Sequence, residues 1–588
     1  MKSTVTCTAG CTEYPKARYE VELEQDVRIP MTDGFGLYAD IYRPRGAGER
    51  LPTILIRTPY SKEPYRDGRD SKHAVPYMFA GQGFIVVVQD VRGHFRSEGE
   101  GIRVADSEAG DGYHTVAWIA SQSWSNGKVG GYGCSSLGIS QVMMALRQPP
   151  ALATILPQAS GGAMRNRPRD MIVSGVPEIG WAFQWYYDLQ PARSQAPDKI
   201  DYHELLRTLP LADMNERIGA PPNDWRDWVT HEPDDPWWDQ FGFFDESSRP
   251  NVPALFVNSW YDVSVNETLD MFNAFKNQST TERAQRNQFV IISPTGHCQS
   301  ESTQTPFVVG ERDVGDIRHD YWSTYLRWFN HWLRDGRGDF EMPRIQYYLM
   351  GANRWKSADS WPLPETRFVP YYFSSGGKAN TSNGDGILST AMGSGPADHY
   401  RYDPADPTPS PESIRGRADG SAADQREVDL RPDRLVYQTE PLRSGMEVTG
   451  PLRAVLYVSS SAPDTDFVVM LSDVYPDGRV YNLQKGIARA RYREAYIAQA
   501  RYLEDYRGPS LLTPGKVYRI EVNMEATGNW FGPGHSIRVQ VASSCFPHYA
   551  RNLNTGGDNA TESATAIAEN TLYHDRNYPS HIILPVVP

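Results

Sequence analysis

The sequence predicts an α/β domain that is interrupted by a helical cap and followed by an all-β domain. Three observations carry this expectation. Short apolar runs alternate with helical stretches through the first third, the rhythm breaks between residues 164 and 250, and beyond 345 hydrophobic and polar residues alternate with a period of two. A chain of 588 residues also exceeds what one core organises, so several domains are expected. The boundaries read as 1–163 and 251–345 for the two parts of the α/β domain, 164–250 for the cap and 346–588 for the all-β domain.

In chain order, Val27-Arg28-Ile29-Pro30-Met31 and Leu37-Tyr38-Ala39-Asp40-Ile41-Tyr42 flank the turn Asp33-Gly34 and predict a hairpin. Thr53-Ile54-Leu55-Ile56-Arg57 and Phe84-Ile85-Val86-Val87-Val88 are continuous apolar runs, the pattern of strands buried on both faces of a parallel sheet. Asp111 to Ser121 reads as a helix. The β-type run Lys128-Val129-Gly130-Gly131-Tyr132 then leads into the glycine-bearing turn Gly133-Cys134-Ser135-Ser136-Leu137-Gly138 and the apolar helix Ile139 to Leu146, which stops before Pro149-Pro150. The segment 164–250 carries no clear β run and is dense in Trp, Tyr, Asp and Pro. It reads as a cap inserted beside the cleft, or as a small α subdomain with no role there. Ala254-Leu255-Phe256-Val257-Asn258 and Gln288-Phe289-Val290-Ile291-Ile292 resume the sheet, and Tyr321 to Arg334 reads as a helix. Residues 374–435, rich in Gly, Ser, Pro and Asp, predict long loops. Tyr518, Ile520, Val522 and Met524 alternate with polar residues, as do Ile537, Val539 and Val541, which predicts an antiparallel sandwich.

Composition excludes some functions. A net charge of −13 leaves no basic footprint for nucleic acid. No apolar run approaches the ~18 residues of a membrane helix, and the first residues lack the apolar core of a secretory signal. Five cysteines, an odd number in a large chain, argue against a disulfide framework, so the expectation is a cytoplasmic protein. Cys7 and Cys11 have no histidine nearby, and no Cys/His spacing fits zinc. With no phosphate-cradling loop or dinucleotide fingerprint either, no metal or cofactor is expected. Assembly into a homo-oligomer is left open.

The chemistry centres on Ser135. A strand, a sharp turn with serine at its tip and a buried helix form the setting of a nucleophile elbow, where a helix N-terminus stands behind the hydroxyl. Serine needs a base, and the base a carboxylate. Two later loops follow buried strands and carry the right groups in the order serine, acid, histidine: Asn258-Ser259-Trp260-Tyr261-Asp262 and Ser293-Pro294-Thr295-Gly296-His297. Asp262 and His297 are the expected acid and base. Each has a plainer alternative: Ser135 as an ordinary turn residue, Asp262 as a helix cap, His297 as a loop histidine. The expected oxyanion donors are the Ser136 backbone N–H and Tyr60 in Arg57-Thr58-Pro59-Tyr60. Residue chemistry alone slightly favours Tyr60 as an exposed turn tyrosine. Cys134 beside Ser135 is expected to pack inward. The expected partner is a small-molecule ester or amide, with Trp181, Trp185 and Trp260 as aromatic candidates for binding it.

Together these segments resemble the cocaine esterase group of serine hydrolases, which includes α-amino acid ester hydrolases, glutaryl-cephalosporin acylases of that type and X-Pro dipeptidyl-peptidases. Gln89-Asp90-Val91-Arg92-Gly93 with Ser97-Glu98-Gly99, and Asn126-Gly127-Lys128-Val129-Gly130, add to the resemblance, which spans nearly the whole chain. Ser543 to Asn552 looks like the closing strand of the family's last domain. The resemblance implies an α/β-hydrolase domain with an inserted helical cap and a C-terminal jelly roll. It also implies a Ser135-His297-Asp262 triad with Tyr60 as oxyanion donor, and hydrolysis of an ester or amide through acyl-Ser135. Passage of the acyl group to an amine or alcohol, and a ligand-binding protein with a vestigial triad, are the alternatives. The chain departs from the family pattern at Ser136, where tyrosine is common, at Ser293-Pro294-Thr295, where Gly-Pro-Trp is frequent, and at Val263-Ser264, where ammonium-binding members carry acidic residues.

Overall fold

The computed structural model describes residues 14–494 and 508–588, apart from 69, 71, 100–107, 189–199, 221–222, 335, 337 and 412–420. Cys7 and Cys11 lie outside the described residues. A ten-stranded sheet organises the first half. Its strands are β1 (Val21–Pro30), β2 (Gly36–Pro44), β3 (Leu51–Thr58), β4 (Ile85–Asp90), β5 (Ser125–Cys134), β6 (Leu152–Gln158), β7 (Ala254–Ser259), β8 (Gln288–Ser293), β9 (Ile345–Leu349) and β10 (Arg354–Ala358). The spatial order is β1-β2-β4-β3-β5-β6-β7-β8-β9-β10. From β4 to β9 neighbours run parallel, while the expected hairpin β1–β2 and the last strand β10 are antiparallel.

The continuous apolar runs are explained by burial on both faces. Ile54, Ile56, Val86, Val88, Leu255, Val257, Phe289 and Ile291 pack under the helix Tyr321–Leu333 through Tyr325, Trp328 and Phe329. The alternate residues Leu55, Val87, Phe256, Val290 and Ile292 meet the other face, covered by helices Glu108–Ser121, Ser136–Leu146 and Val265–Gln278. The cap holds short helices and a two-residue hairpin, Ile172–Val173 with Val176–Pro177. Its tryptophans are mostly packing: Trp225, Trp228 and Trp238 form a core with Phe183 and Phe241 that continues into Val468, Met470 and Phe546 of the all-β domain.

An eleven-stranded antiparallel-rich sheet forms the C-terminal domain, with Ile520, Val522 and Met524 buried as their alternation predicts. Two expectations are corrected. The first sheet runs on to Ala358 rather than ending at 345, because β9 hydrogen-bonds onto β8 and β10 onto β9. Ser543 to Asn552 is not a strand: it runs irregularly after the strand Ser536–Ala542, where Cys545, Phe546 and Tyr549 turn into the cap core instead of alternating across a sheet. The last strand of the chain, His581–Val587, lies inside that sheet between Met446–Ser460 and Arg367–Ser374. Within the segment 374–435, Ile387–Ser389 and Asp398–Tyr402 are short sheet strands between loops.

Candidate active site

Four loops gather at the carboxyl ends of parallel strands, where α/β sheets bind ligands. They follow β3, β5, β7 and β8, and they carry Tyr60, Ser135, Asp262 and His297. At the end of β5 the chain reverses through Ser135, whose φ of 61° and ψ of −129° lie outside the conformations ordinary side chains favour. Its backbone N–H donates to the Gln158 carbonyl at 2.9 Å, and its own carbonyl accepts from Gly138 and Ile139 at 2.7 and 2.8 Å. Ser135 thus caps the helix Ser136–Leu146, at the end where backbone N–H groups have no intrahelical partner. Two glycines permit the turn. Gly133 has a φ of 147°, and a side chain at Gly138 would strike the Gln158 backbone.

The expected acid and base are joined: His297 Nδ1 donates to Asp262 Oδ2 at 2.5 Å. Asp262 is buried, whereas the His297 side chain is 30% exposed. The other carboxylate oxygen accepts from the Ser264 N–H at 3.0 Å, the Ser264 hydroxyl at 2.9 Å and the Asn258 amide at 3.4 Å. Burial alone would push the Asp262 carboxyl up. The charge and hydrogen bond of His297, with both Ser264 donors, outweigh it and hold the group below the ordinary carboxylate value. Asp262 therefore stays ionised, orients the ring, and places the neutral imidazole's basic lone pair on Nε2. The roots of the His297 loop are fastened by a buried hydroxyl cluster in which Ser259 Oγ lies 2.9 Å from Ser293 and Thr295 and 3.1 Å from Ser300.

Tyr60 is half-buried, and its phenol donates to the Ser136 hydroxyl at 3.3 Å, next to the elbow serine. It also accepts the indole N–H of Trp185 at 2.8 Å, a link from the cap that residue patterns did not reveal. Trp181, also half-buried, donates to Glu178 at 3.1 Å. Trp260 is corrected. It is fully buried, donates to the Tyr348 carbonyl at 2.7 Å and tilts against Trp361, because the chain after β7 turns its indole into the interdomain core.

Cys134 is also corrected. It is bonded to Cys298, 164 residues away, with the two Cα atoms 5.9 Å apart. The signal was present in the sequence: one cysteine adjoins the serine and the other the histidine, so if those two meet, their neighbours meet as well. A half-buried hydroxyl at a helix N-terminus, a carboxylate-oriented imidazole and a phenol at the same sheet end can together attack an acyl carbon and stabilise the resulting oxyanion.

Comparisons with known proteins point the same way. Residues 33–299 match the family described as X-Pro dipeptidyl-peptidase (S15 family), and residues 340–583 match the X-Pro dipeptidyl-peptidase C-terminal non-catalytic domain. The cocaine esterase of Rhodococcus sp. (strain MB1 Bresler) is 35% identical over 96% of this chain and 98% of its own. Among solved structures, an α-amino acid ester hydrolase and an aminopeptidase from a marine sediment Thaumarchaeota archaeon each superpose with a TM-score of 0.80 at 25% identity, covering 100% of both chains.

Proposed function

This chain belongs to the X-Pro dipeptidyl-peptidase (S15) family of serine hydrolases, and on that premise we propose that it cleaves carboxylic esters through an acyl-Ser135 intermediate. The Ser135 hydroxyl attacks the acyl carbon as His297 Nε2 takes its proton, and Asp262 steadies the imidazolium. The tetrahedral oxyanion is received by the Ser136 N–H and the Tyr60 phenol, whose acceptor side is occupied by Trp185. Collapse expels the alcohol, which takes the proton from His297. Water then repeats the sequence on the acyl-enzyme and regenerates the serine. Trp185 and Trp181, both half-buried on the cap, are the aromatic walls for a bulky acyl or leaving group. Amide cleavage uses the same groups, but the cocaine esterase likeness over the full chain favours esters.

The carrying observation is the Asp262–His297 pair, 2.5 Å apart, with the His297 loop tied to the elbow of Ser135. Val263 and Ser264 hold no charge for a substrate ammonium, and the Ser264 hydroxyl already supports Asp262. A panel of aryl esters and acyl amides, with the acylated serine trapped by mass spectrometry, tests the proposal. Ser135→Ala is expected to lower kcat by ~10⁴-fold or more with the fold intact. Near-normal ester turnover by that variant would refute it.

A further inference from the structure

We propose that the Cys134–Cys298 disulfide is a redox-responsive clamp that holds the base loop against the nucleophile elbow, which makes both cysteines positioning residues for hydrolysis. The inference rests on the assignment of Ser135 and His297 above. The bond joins the residue before Ser135 to the residue after His297. At its two ends stand unusual backbones: Ser135 has a φ of 61° and Cys298 a φ of 57°, conformations that persist only where the surroundings hold them. The hydroxyl cluster fastens the loop at Thr295 and Ser300, on either side of the tip. Between those anchors, the Asp262 hydrogen bond orients the imidazole, and the disulfide is the covalent tie to the elbow.

The clamp is reachable. Cys298 is exposed and Cys134 partly so, and both line a cavity of about 560 Å³ together with Leu137, Gln158, Glu301 and Lys72. That is well above the ~10–15 Å³ that one water needs on the same measure. A disulfide facing such a space is open to thiol exchange. A dithiol thiolate attacks Cys298 Sγ, forms a mixed disulfide and expels the Cys134 thiolate. The dithiol's second thiolate then attacks its own sulfur in the mixed disulfide, which releases the cyclic oxidised dithiol and the Cys298 thiolate. Two electrons pass from the dithiol to the protein, and the two cysteine thiolates take up the protons that the dithiol gave up. With the bond open, the His297 tip loses its covalent tie to the elbow, while the anchored loop roots keep the sheet intact.

The test is hydrolysis by the full chain before and after dithiothreitol, with opening verified by alkylation and the gain of two hydrogens in mass. Expected is a fall in kcat of ~10- to 100-fold at nearly constant KM, since small misplacements of reacting groups act on the chemical step. Fluorophosphonate labelling of Ser135 should slow in parallel, and oxidised glutathione should restore both. The double variant Cys134→Ser/Cys298→Ser should carry the lowered kcat permanently and ignore dithiothreitol. Unchanged kcat with the bond proven open overturns the proposal, as does finding both thiols alkylatable even after oxidant. If the double variant does not fold, the reversible reduction of the native chain decides. Ser135→Ala keeps the two readings apart: its survival as an esterase sinks the catalytic assignment, whereas an active reduced enzyme sinks only the clamp.

Discussion

At the residue scale, the site turns on how single groups are supported. Asp262 is a buried carboxylate that remains charged because one oxygen meets His297 and the other meets two donors from Ser264 and a long one from Asn258. Tyr60 shows the complementary device: Trp185 fills an acceptor position on its oxygen, which leaves the O–H directed at the elbow. Tyr60→Phe removes that donor and keeps the ring. It is expected to lower kcat by ~10²- to 10³-fold with little change in melting temperature, read by aryl-ester kinetics beside thermal denaturation. The placement of Ser135, Asp262 and His297 at the ends of parallel strands was legible from residue type and order, because each follows a buried strand. The link between Tyr60 and Trp185 was not, since the two lie 125 residues apart and no local pattern joins them.

At the element scale, the elbow is a packing arrangement before it is a chemical one. The helix Ser136–Leu146 lies so close to β6 that position 138 leaves no room for a side chain against the Gln158 backbone. Gln141 reinforces the contact, donating to the Gly133 and Leu137 carbonyls at 3.2 and 3.0 Å and accepting from the Leu156 N–H at 3.1 Å. Gly138→Ala is therefore expected to destabilise the chain by ~1–3 kcal/mol, measured by denaturant unfolding, and to displace Ser135 enough to depress turnover. These elements were legible because strand and helix periods are local: Leu55 and Ile56 already announce a strand buried on both faces. Ser543 to Asn552 misled because resemblance suggested a strand, while its apolar residues serve the cap core.

At the scale of the whole molecule, Arg167 ties three regions together. Its guanidinium, from the cap, meets Glu178 of the cap at 2.5 Å and Glu525 of the all-β domain at 2.7 Å, with Glu267 of the α/β domain at 3.9 Å. Burial raises all three carboxyls against the pull of Arg167, and Glu525 most plainly. A carboxyl whose folded value is raised binds its proton more tightly when folded. Its contribution is full below the unfolded value of about 4.3 and is lost as pH rises through the folded one. The contribution of these three carboxyls should thus decline from mildly acidic toward alkaline pH. Glu525→Gln should flatten that decline by ~1 kcal/mol or more, checked by melting temperature against pH. The run of the first sheet past 345 was not legible for a related reason: β9 carries ordinary strand patterning, and only its pairing with β8 places it in the first sheet. By itself the sequence determined the strands, the elbow's setting and the order of serine, acid and histidine, because hydrophobic period and turn chemistry act over a few residues, while the family came from the resemblance of its motifs. Tertiary structure alone decided that Trp185 meets Tyr60 and that Trp260 leaves the cleft. Those meetings depend on strand order and domain packing, which bring distant segments together without leaving a local trace.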